Sequence, residues 1–264
     1  MNDIHFCLDN SPQFQMLELE EVTSTNDFLR DYHPIREQEI TLVTAEYQTT
    51  GRGAGDNHWE SDKGENLLFS LLVHPRHIAA PEMFLLSEVL ALAVKDGLEE
   101  NGKGTAFSIK WPNDIYYKNQ KICGLLIENE LQGKTIERCI MGVGVNVNQT
   151  RFHSDAPNPV SLAQILGMQV ERRFVLEDIM KHFTRYYAWT KQGRNEELHQ
   201  MYLAHLYRKG ETHRFQDKAG VFCGTIVTVE PTGHLIIRDE EGEQRRYAFK
   251  EVEYLINQKL RVKK

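Results

Sequence analysis

The spacing of apolar residues changes once along this 264-residue chain, near Gly210. Before that point, segments with the two-residue period of strands mix with segments of helical period. After it, only short alternating strands remain, at 221–229, 234–239 and 244–249, separated by turn residues. This change predicts an α+β protein in two parts.

The first part combines long helices with strands. Pro81 stands where a first helical turn tolerates proline, and apolar residues at helical spacing follow as far as Glu99. Turns at Asn119-Gln120 and Gln132-Gly133 indicate close antiparallel neighbours, so we expect a mixed β-sheet with flanking helices. Predicted strands cover 14–22, 40–48, 67–73, 107–111, 122–130 and 136–147, and predicted helices begin at Ser24, near Pro81, at Ser161 and at Leu176.

We place a domain boundary near residues 207–213. The larger domain then spans residues 1–208, and a small C-terminal all-β, barrel-like domain spans residues 213–264. Ser24, followed by Asp27 three residues later, predicts a hydroxyl cap with an acidic partner at the first helix.

Composition excludes several classes of function. The formal net charge is −7 and the chain has no long block of like charges, so DNA is not an expected partner. The four scattered cysteines, including Cys7, indicate reduced thiols rather than a metal site or disulfides. Because we find neither a secretion signal nor an apolar run of membrane length, we expect a cytoplasmic protein without membrane contact.

A glycine-dense loop directly follows the second strand. Gly51, Gly53 and Gly55 alternate there, so that bare backbone can approach a phosphate, and Arg52 adds a positive charge. The loop has neither the lysine of a Walker A motif nor the spacing of a dinucleotide fingerprint. A flexible surface loop is the alternative.

Two further segments bring polar groups to strand ends. In 110–114 (Lys-Trp-Pro-Asn-Asp) the proline forces an extended tryptophan and the last two residues favour a turn, although a capped turn beside a core tryptophan is the alternative. Lys121 precedes an apolar run, where a lysine indicates either an anion or a solvent-facing strand edge.

A fourth segment has glycines and amides on one face. Gly142, Gly144, Asn146 and Asn148 alternate with valines, so one face is apolar and the other is bare. Such a face suits a flat ligand such as a nucleobase or ribose, or else the close packing of another element.

Taken together and in this order, these segments resemble the motifs of biotin protein ligases. The resemblance covers about residues 14–150, and the β module after residue 213 is similar to the family's C-terminal domain. The segments that carry it are Ser24-Thr25-Asn26, 46–53 with Trp59, 110–114, 121–128 and 142–146.

This resemblance implies a fold and a reaction. The fold is that of class II synthetases and biotin/lipoate ligases, and the reaction activates biotin with ATP as biotinyl-AMP. Biotin is then transferred to a lysine in a biotin carrier domain of a carboxylase. Mg²⁺ is expected with ATP, but the resemblance identifies no metal ligand.

The resemblance also implies roles for single residues. Arg52, Lys121 and Asp114 are the catalytic candidates. The expected biotin-binding residues are Ser24, Thr25, Asn26, Gln48, Gly51, Arg52, Gly53, Lys121 and Gly124. The expected nucleotide-binding residues are Arg52, Trp59, Lys110, Asn113, Lys121 and Asn146.

The chain departs from the family pattern in two places. Ala54 stands where many members carry a second arginine, which predicts weaker retention of the adenylate. Only 13 residues precede the first predicted strand, too few for the DNA-binding domain of some bacterial members, so we expect a ligase without DNA binding. Either a monomer or a homodimer is compatible with the sequence.

Two alternatives remain at this point. A lipoate-protein ligase has a similar fold and chemistry, but the loop with Trp59 and the C-terminal β module favour biotin. A non-catalytic sensor of biotin or biotinyl-AMP would need the pocket but neither Arg52 nor Lys121.

Overall fold

The computed structural model describes residues 14–33, 40–153 and 158–256. Cys7 lies outside these residues. The helices are α1 Thr25–Asp31, α2 Phe84–Asn101, α3 Leu162–Leu166, α4 Arg172–Lys191 and α5 Asn195–Ala204. The strands are β1 Phe14–Val22, β2 Ile40–Gln48, β3 Leu67–Val73, β4 Ser108–Lys110, β5 Asp114–Tyr117, β6 Gln120–Gln132, β7 Thr135–Val145, β8 Thr212–Asp217, β9 Gly220–Val229, β10 Leu235–Asp239, β11 Gln244–Tyr247 and β12 Glu253–Tyr254.

Seven strands form one mixed sheet in the order β1-β2-β3-β7-β6-β5-β4. Strands β1 and β2 are parallel, because α1 crosses between them, and every other neighbouring pair is antiparallel. The predicted mixed sheet is confirmed, and both predicted turns join antiparallel strands. Gly133 adopts a positive φ of 63° in the turn between β6 and β7, which glycine tolerates without strain.

Helices α2 and α4 pack together in the main core. Gly97 of α2 permits their close approach, since a Cβ there would lie 2.6 Å from the Ile179 side chain. Strand β3 is buried along its whole length. Helix α1 packs in a second, smaller hydrophobic cluster, which is separate from the main core and in which Leu29 lies among strand residues.

The C-terminal part forms a five-stranded antiparallel sheet in the order β11-β10-β9-β8-β12. It packs on the larger part through specific contacts: Trp111 Nε1 donates a 2.9 Å hydrogen bond to Gly233 O, and Tyr207 stacks on Tyr254. Sequence analysis predicted three of these five strands and missed β8 and β12.

Three local predictions need correction. The predicted helix from Leu176 begins four residues earlier, at Arg172. Asp114, expected in a turn, is the first residue of β5. Ser24 is the N-cap of α1, but its hydroxyl forms no capping bond, and the carboxylate of Asp27 accepts hydrogen bonds from two arginines instead.

None of the described helices combines the length and the hydropathy needed to span a bilayer. Of the described cysteines, Cys123 and Cys139 are buried and unpaired, and Cys223 is unpaired and partly exposed. Burial raises the pKa of the Cys123 and Cys139 thiols, which keeps them protonated.

Candidate active site

Most of the predicted site residues meet in one cleft over the large sheet. Strands β2, β6 and β7, the start of α1 and the glycine-rich loop each contribute to its walls. The cleft is lined by Ser24, Thr25, Asn26, Gln48, Arg52, Gly53, Ala54, Trp59, Asn113, Lys121, Gly124, Leu125, Leu126, Gly142, Val143 and Gly144.

One end of the cleft is a connected set of hydroxyl and amide groups. Gln48 Oε1 accepts hydrogen bonds from the Thr25 backbone N–H at 2.8 Å and from the Thr25 hydroxyl at 3.1 Å. These bonds fix the end of β2 against the first turn of α1. Ser24, Thr25 and Asn26 are nearly fully buried, at 2–3% exposure, so they present defined polar groups to a ligand.

Ser70 belongs to this set, although sequence analysis assigned it no role. Its hydroxyl lies 2.7 Å from Thr25 Oγ1 and 2.6 Å from Asn26 Oδ1. A signal was present in the sequence, because Ser70 is the one polar residue in the apolar segment LLFSLLV of β3. A fully buried hydroxyl in such a strand needs a partner.

Arg52 is held by two carboxylates to which the sequence analysis assigned no role in the site. Its guanidinium lies 2.8 Å from Asp27 and 3.0 Å from Glu128, and Arg30 contacts the same two acids at 2.7 and 2.8 Å. The hydrogen bond that Arg52 donates to Glu128 is the main reason that the pKa of Arg52 is raised. Asn26 Nδ2 donates to Glu128 at 2.8 Å, so this cluster joins the polar end of the cleft.

The glycine-rich loop is closed by its own backbone. Gly53 N donates to Asn57 O at 2.7 Å, and Trp59 N donates to Gly51 O at 2.9 Å. A Cβ at Gly51 would lie 2.5 Å from Trp59 O, so a side chain would force this closure apart. Gly51 therefore shapes the loop without lining the cleft, whereas Gly53 lines it.

Trp59 packs on the bare glycine face of the sheet. A Cβ at Gly144 would lie 2.6 Å from Trp59 Nε1, and one at Gly124 would lie 2.9 Å from Trp59 Cζ3. Of the two interpretations of this face, the close packing of another element is the one observed, because the indole covers Gly144. Gly142 is covered in the same way by the amide of Asn26. The buried indole Nε1 has no hydrogen-bond partner among the described residues.

Lys121 and Asp114 form the second charged group of the site. Lys121 Nζ lies 2.6 Å from Asp114 Oδ1 and 5.6 Å from the centre of the Trp59 ring system, which places this ion pair beside the loop. Gly124 lies opposite Asp114 in the pairing of β5 with β6. A Cβ at Gly124 would lie 3.3 Å from Lys121 Nζ, so glycine leaves room for the lysine side chain.

Lys110 lies behind this pair and does not line the cleft. Its ammonium is 3.8 Å from Asp114 and 4.7 Å from the centre of the Tyr254 ring. Burial lowers the pKa of Lys110, and Asp114 opposes that shift. Lys110 therefore contacts the carboxylate of Asp114, which also pairs with Lys121, and it contacts the C-terminal sheet through Tyr254.

The two predicted asparagines have different positions. Asn113 lines the cleft and its amide donates to Leu125 O at 2.7 Å. Asn146 is buried just beyond β7, where its amide donates to Val160 O at 3.2 Å and its backbone N–H donates to Ile122 O at 2.9 Å. Asn146 thus fixes the strand end and is absent from the lining of the cleft.

Comparison with known sequences identifies the family. The model of the Biotin/lipoate A/B protein ligase family matches residues 18–146. The bifunctional ligase/repressor BirA of Bacillus subtilis is 30% identical over 215 residues, which are 80% of this chain and 65% of that protein. The biotin–[acetyl-CoA-carboxylase] ligase of Paracoccus denitrificans is 28% identical over 209 residues, which are 76% of this chain and 85% of that protein. The chain thus spans just under two thirds of the length of the Bacillus subtilis relative.

Solved structures agree with the sequence comparison. The biotin protein ligase of Aquifex aeolicus, in complex with biotin and ATP, has a TM-score of 0.75 and 28% identity, covering 90% of this chain and 97% of that one. Its apo structure has a TM-score of 0.70 and 26% identity, covering 90% and 97%. Residues 18–146 thus belong to the Biotin/lipoate A/B protein ligase family, and by its motifs, its fold and these relatives the chain is similar to biotin protein ligases over most of its length.

Proposed function

We propose that this protein activates biotin with ATP to biotinyl-AMP and transfers the biotin to a lysine of a biotin carrier domain. The observation that carries the proposal is one cleft that joins a hydroxyl and amide end, around Thr25 and Gln48, to Arg52 and Lys121. The reaction needs this combination, since it brings a neutral ring system and two anions together.

The neutral end suits the ureido ring of biotin. That ring presents one carbonyl oxygen and two N–H groups, and Ser24, Thr25, Asn26 and Gln48 offer both donors and acceptors there. Leu126 and Val143 add apolar surface. Because Ser24, Thr25 and Asn26 are buried and Thr25 and Asn26 are already oriented by hydrogen bonds, a ligand that lacks matching groups would cost about 1–3 kcal/mol for each donor or acceptor that it left without a partner.

The charged end suits the carboxylate of biotin and the α-phosphate of ATP. A carboxylate oxygen forms a bond to the α-phosphorus while the bond from phosphorus to the bridging oxygen of pyrophosphate breaks. Negative charge increases on the equatorial oxygens during this displacement, and fixed cations stabilise it. We assign this role to Arg52, through its planar guanidinium, and to Lys121, through a compact ammonium.

The second step transfers the acyl group. The lysine amine of the carrier attacks the carbonyl carbon of the mixed anhydride, AMP leaves with the bonding electrons, and the amine loses a proton. We assign the acceptance of this proton to the carboxylate of Asp114, which lies beside Lys121 at the cleft.

Mg²⁺ is proposed as the companion of ATP. Protein sites for this ion commonly supply only one or two carboxylates, with substrate phosphates completing the coordination. The described residues contain no cluster of three or more potential ligands, but Asp114 fits the smaller requirement. Bound there, the ion would offset phosphate charge.

We further propose that residues 1–208 form the catalytic domain, that residues 213–264 form a separate β domain, and that the enzyme acts in the cytoplasm on a carboxylase. The acceptor is proposed from the similarity to the biotin–[acetyl-CoA-carboxylase] ligase of Paracoccus denitrificans. Cysteines that are unpaired and buried, such as Cys123 and Cys139, are compatible with a reducing compartment.

The test is mass spectrometry of a purified biotin carrier domain after incubation with this protein, ATP, Mg²⁺ and biotin. We expect a mass increase of one biotinyl group, with no increase when lipoate replaces biotin or when the acceptor lysine is replaced by arginine. Transfer of lipoate would instead identify a lipoate ligase. Bound biotin without pyrophosphate release would identify a sensor.

A further inference from the structure

A lysine of the C-terminal part contacts the tip of the glycine-rich loop. Lys250 lies in the connection between β11 and β12, and its ammonium occupies the space where any side chain on Gly55 would lie. Gly55 is next to Ala54, which lines the cleft. The C-terminal part therefore contacts the glycine-rich loop at Gly55, which has no side chain.

Lys250 has a backbone conformation that favours glycine. Its φ is 67°, in the left-handed region that glycine adopts without strain and that is unfavourable for a residue with a Cβ. A glycine would serve the turn better. Lys118 shares this conformation, so the backbone alone does not distinguish Lys250, whereas its position at the loop does.

Lys250 differs from the two cations of the cleft, Arg52 and Lys121, because those two form ion pairs with carboxylates. Arg52 is compensated by Asp27 and Glu128, and Lys121 is compensated by Asp114. Within residues 14–33, 40–153 and 158–256, Lys250 forms no ion pair, and its ammonium lies 5.7 Å from the centroid of the Phe249 ring. Asp217, Glu251 and Glu253 line the same surface pocket as Lys250, but none of them pairs with its ammonium.

A groove continues from the cleft toward Lys250. Ala54, Asn113, Leu125 and Leu126 line both spaces, whereas the groove also reaches Gly55 and Phe249. No lysine or arginine is among the described residues that line this groove, and its remaining surface is mainly apolar. Lys250 does not itself line the groove, but its ammonium fills the space beside Gly55, so an anion in the groove would meet this positive charge at Gly55.

The direction of the proposed reaction places an anion there. In an in-line displacement at the α-phosphorus, the leaving pyrophosphate lies opposite the attacking carboxylate. Biotin at the Thr25 and Gln48 end directs the β- and γ-phosphates away from that end, past Ala54 and into the groove. We propose that Lys250 binds the β- and γ-phosphates of ATP and the pyrophosphate product; this rests on the adenylation function proposed above.

The test compares two nucleotides and two matched variants. Calorimetry measures the binding of AMP and of α,β-methylene-ATP to the full chain and to its Lys250→Gly, Lys250→Arg and Lys118→Gly variants. Lys118 is the matched control, because it is an exposed lysine with φ of 52° in another turn. Glycine suits both backbones, so both variants should keep the melting temperature of the parent or raise it.

We expect Lys250→Gly to weaken binding of the triphosphate analogue on the order of tenfold, as for the loss of a charge-assisted hydrogen bond. AMP binding should stay unchanged, Lys250→Arg should restore most of the affinity, and Lys118→Gly should have no effect. Pyrophosphate should inhibit adenylation less in Lys250→Gly than in the parent.

Equal losses for AMP and the analogue, or no loss for either, would overturn the assignment. A parent protein that binds neither nucleotide would also overturn it. A parent that binds both nucleotides but forms no biotinyl-AMP would refute the proposed function, while the comparison of nucleotides would still decide the role of Lys250.

Discussion

Arg52 donates a 3.0 Å hydrogen bond to Glu128, a residue 76 positions away on β6. The most important cation of the glycine-rich loop is thus compensated by protein carboxylates. A phosphate oxygen that binds Arg52 has to compete with Glu128 and Asp27. The affinity of the site for anions therefore depends on these acids as well as on the basic residues.

The stability that Glu128 contributes should depend on pH. Burial opposes its ionisation, but hydrogen bonds from Asn26 and Arg52 outweigh burial and lower its pKa. This contribution is present above the unfolded carboxyl pKa of about 4.3 and is lost as the pH falls through the lower folded pKa. We expect Glu128→Gln to cost about 1 kcal/mol at pH 7 in urea unfolding and much less near pH ~3.

Glu20 provides the control for this experiment. It is 85% exposed and lies 3.6 Å from Lys63. Glu20→Gln should leave stability nearly unchanged at both pH values. A cost for Glu128→Gln that stays the same at both pH values would show that packing, rather than charge, is responsible.

Removing either catalytic cation should slow adenylation strongly. Arg52→Ala or Lys121→Ala should each cost on the order of 2.7 to 4 kcal/mol of transition-state stabilisation, by analogy with the loss of one preorganised donor. Pyrophosphate release with biotin and ATP measures this effect, with Lys118→Ala as an exposed control. A variant with near-normal adenylation would remove that residue from the mechanism.

The glycine face under Trp59 should tolerate no added methyl group. Gly144→Ala should destabilise the protein by about 1–3 kcal/mol, because the new Cβ would overlap the indole. In a Trp59→Ala background the same substitution should be close to neutral, since the obstruction is gone. Equal costs in both backgrounds, measured by urea unfolding, would show that the indole is not the obstruction.

Ala54 should control how long the intermediate is retained. Its side chain lines both the cleft and the groove, so an arginine there would reach the adenylate. We expect Ala54→Arg to release biotinyl-AMP more slowly than the parent, measured by the appearance of free intermediate after rapid filtration. Ala219→Arg, in an exposed turn of the C-terminal sheet, controls for added charge. Identical release from Ala54→Arg and the parent would contradict the expectation.

The sequence indicated the fold and the family because short-range patterns carry that information. The apolar run of β3, the helical spacing of α2 and the ordered motifs around Gly51 and Lys121 were each visible locally. The predicted α+β fold and the family are confirmed. Strand β8 was missed because Thr212–Asp217 is polar with only Phe215 buried, and β12 has two residues.

Sequence analysis missed several residues of the site for a different reason. Glu128 and Lys250 gain their significance from partners that are distant in sequence, so no local pattern marks them. Asn146 was expected at the nucleotide and this stays a prediction; in the structure its amide donates to Val160 O. Ser70 could have been found, since a polar residue within an apolar strand requires an explanation.

Strand β7 lies between β3 and β6 in the large sheet, and this position determines when the site can form during synthesis. Arg52 and Trp59 leave the ribosome well before Gly144, yet the indole has no glycine face to pack on until β7 has joined its neighbours. Contacts between distant segments form slowly. We therefore expect a nascent chain that ends before Val145 to bind neither substrate, so that premature termination yields no partially active ligase.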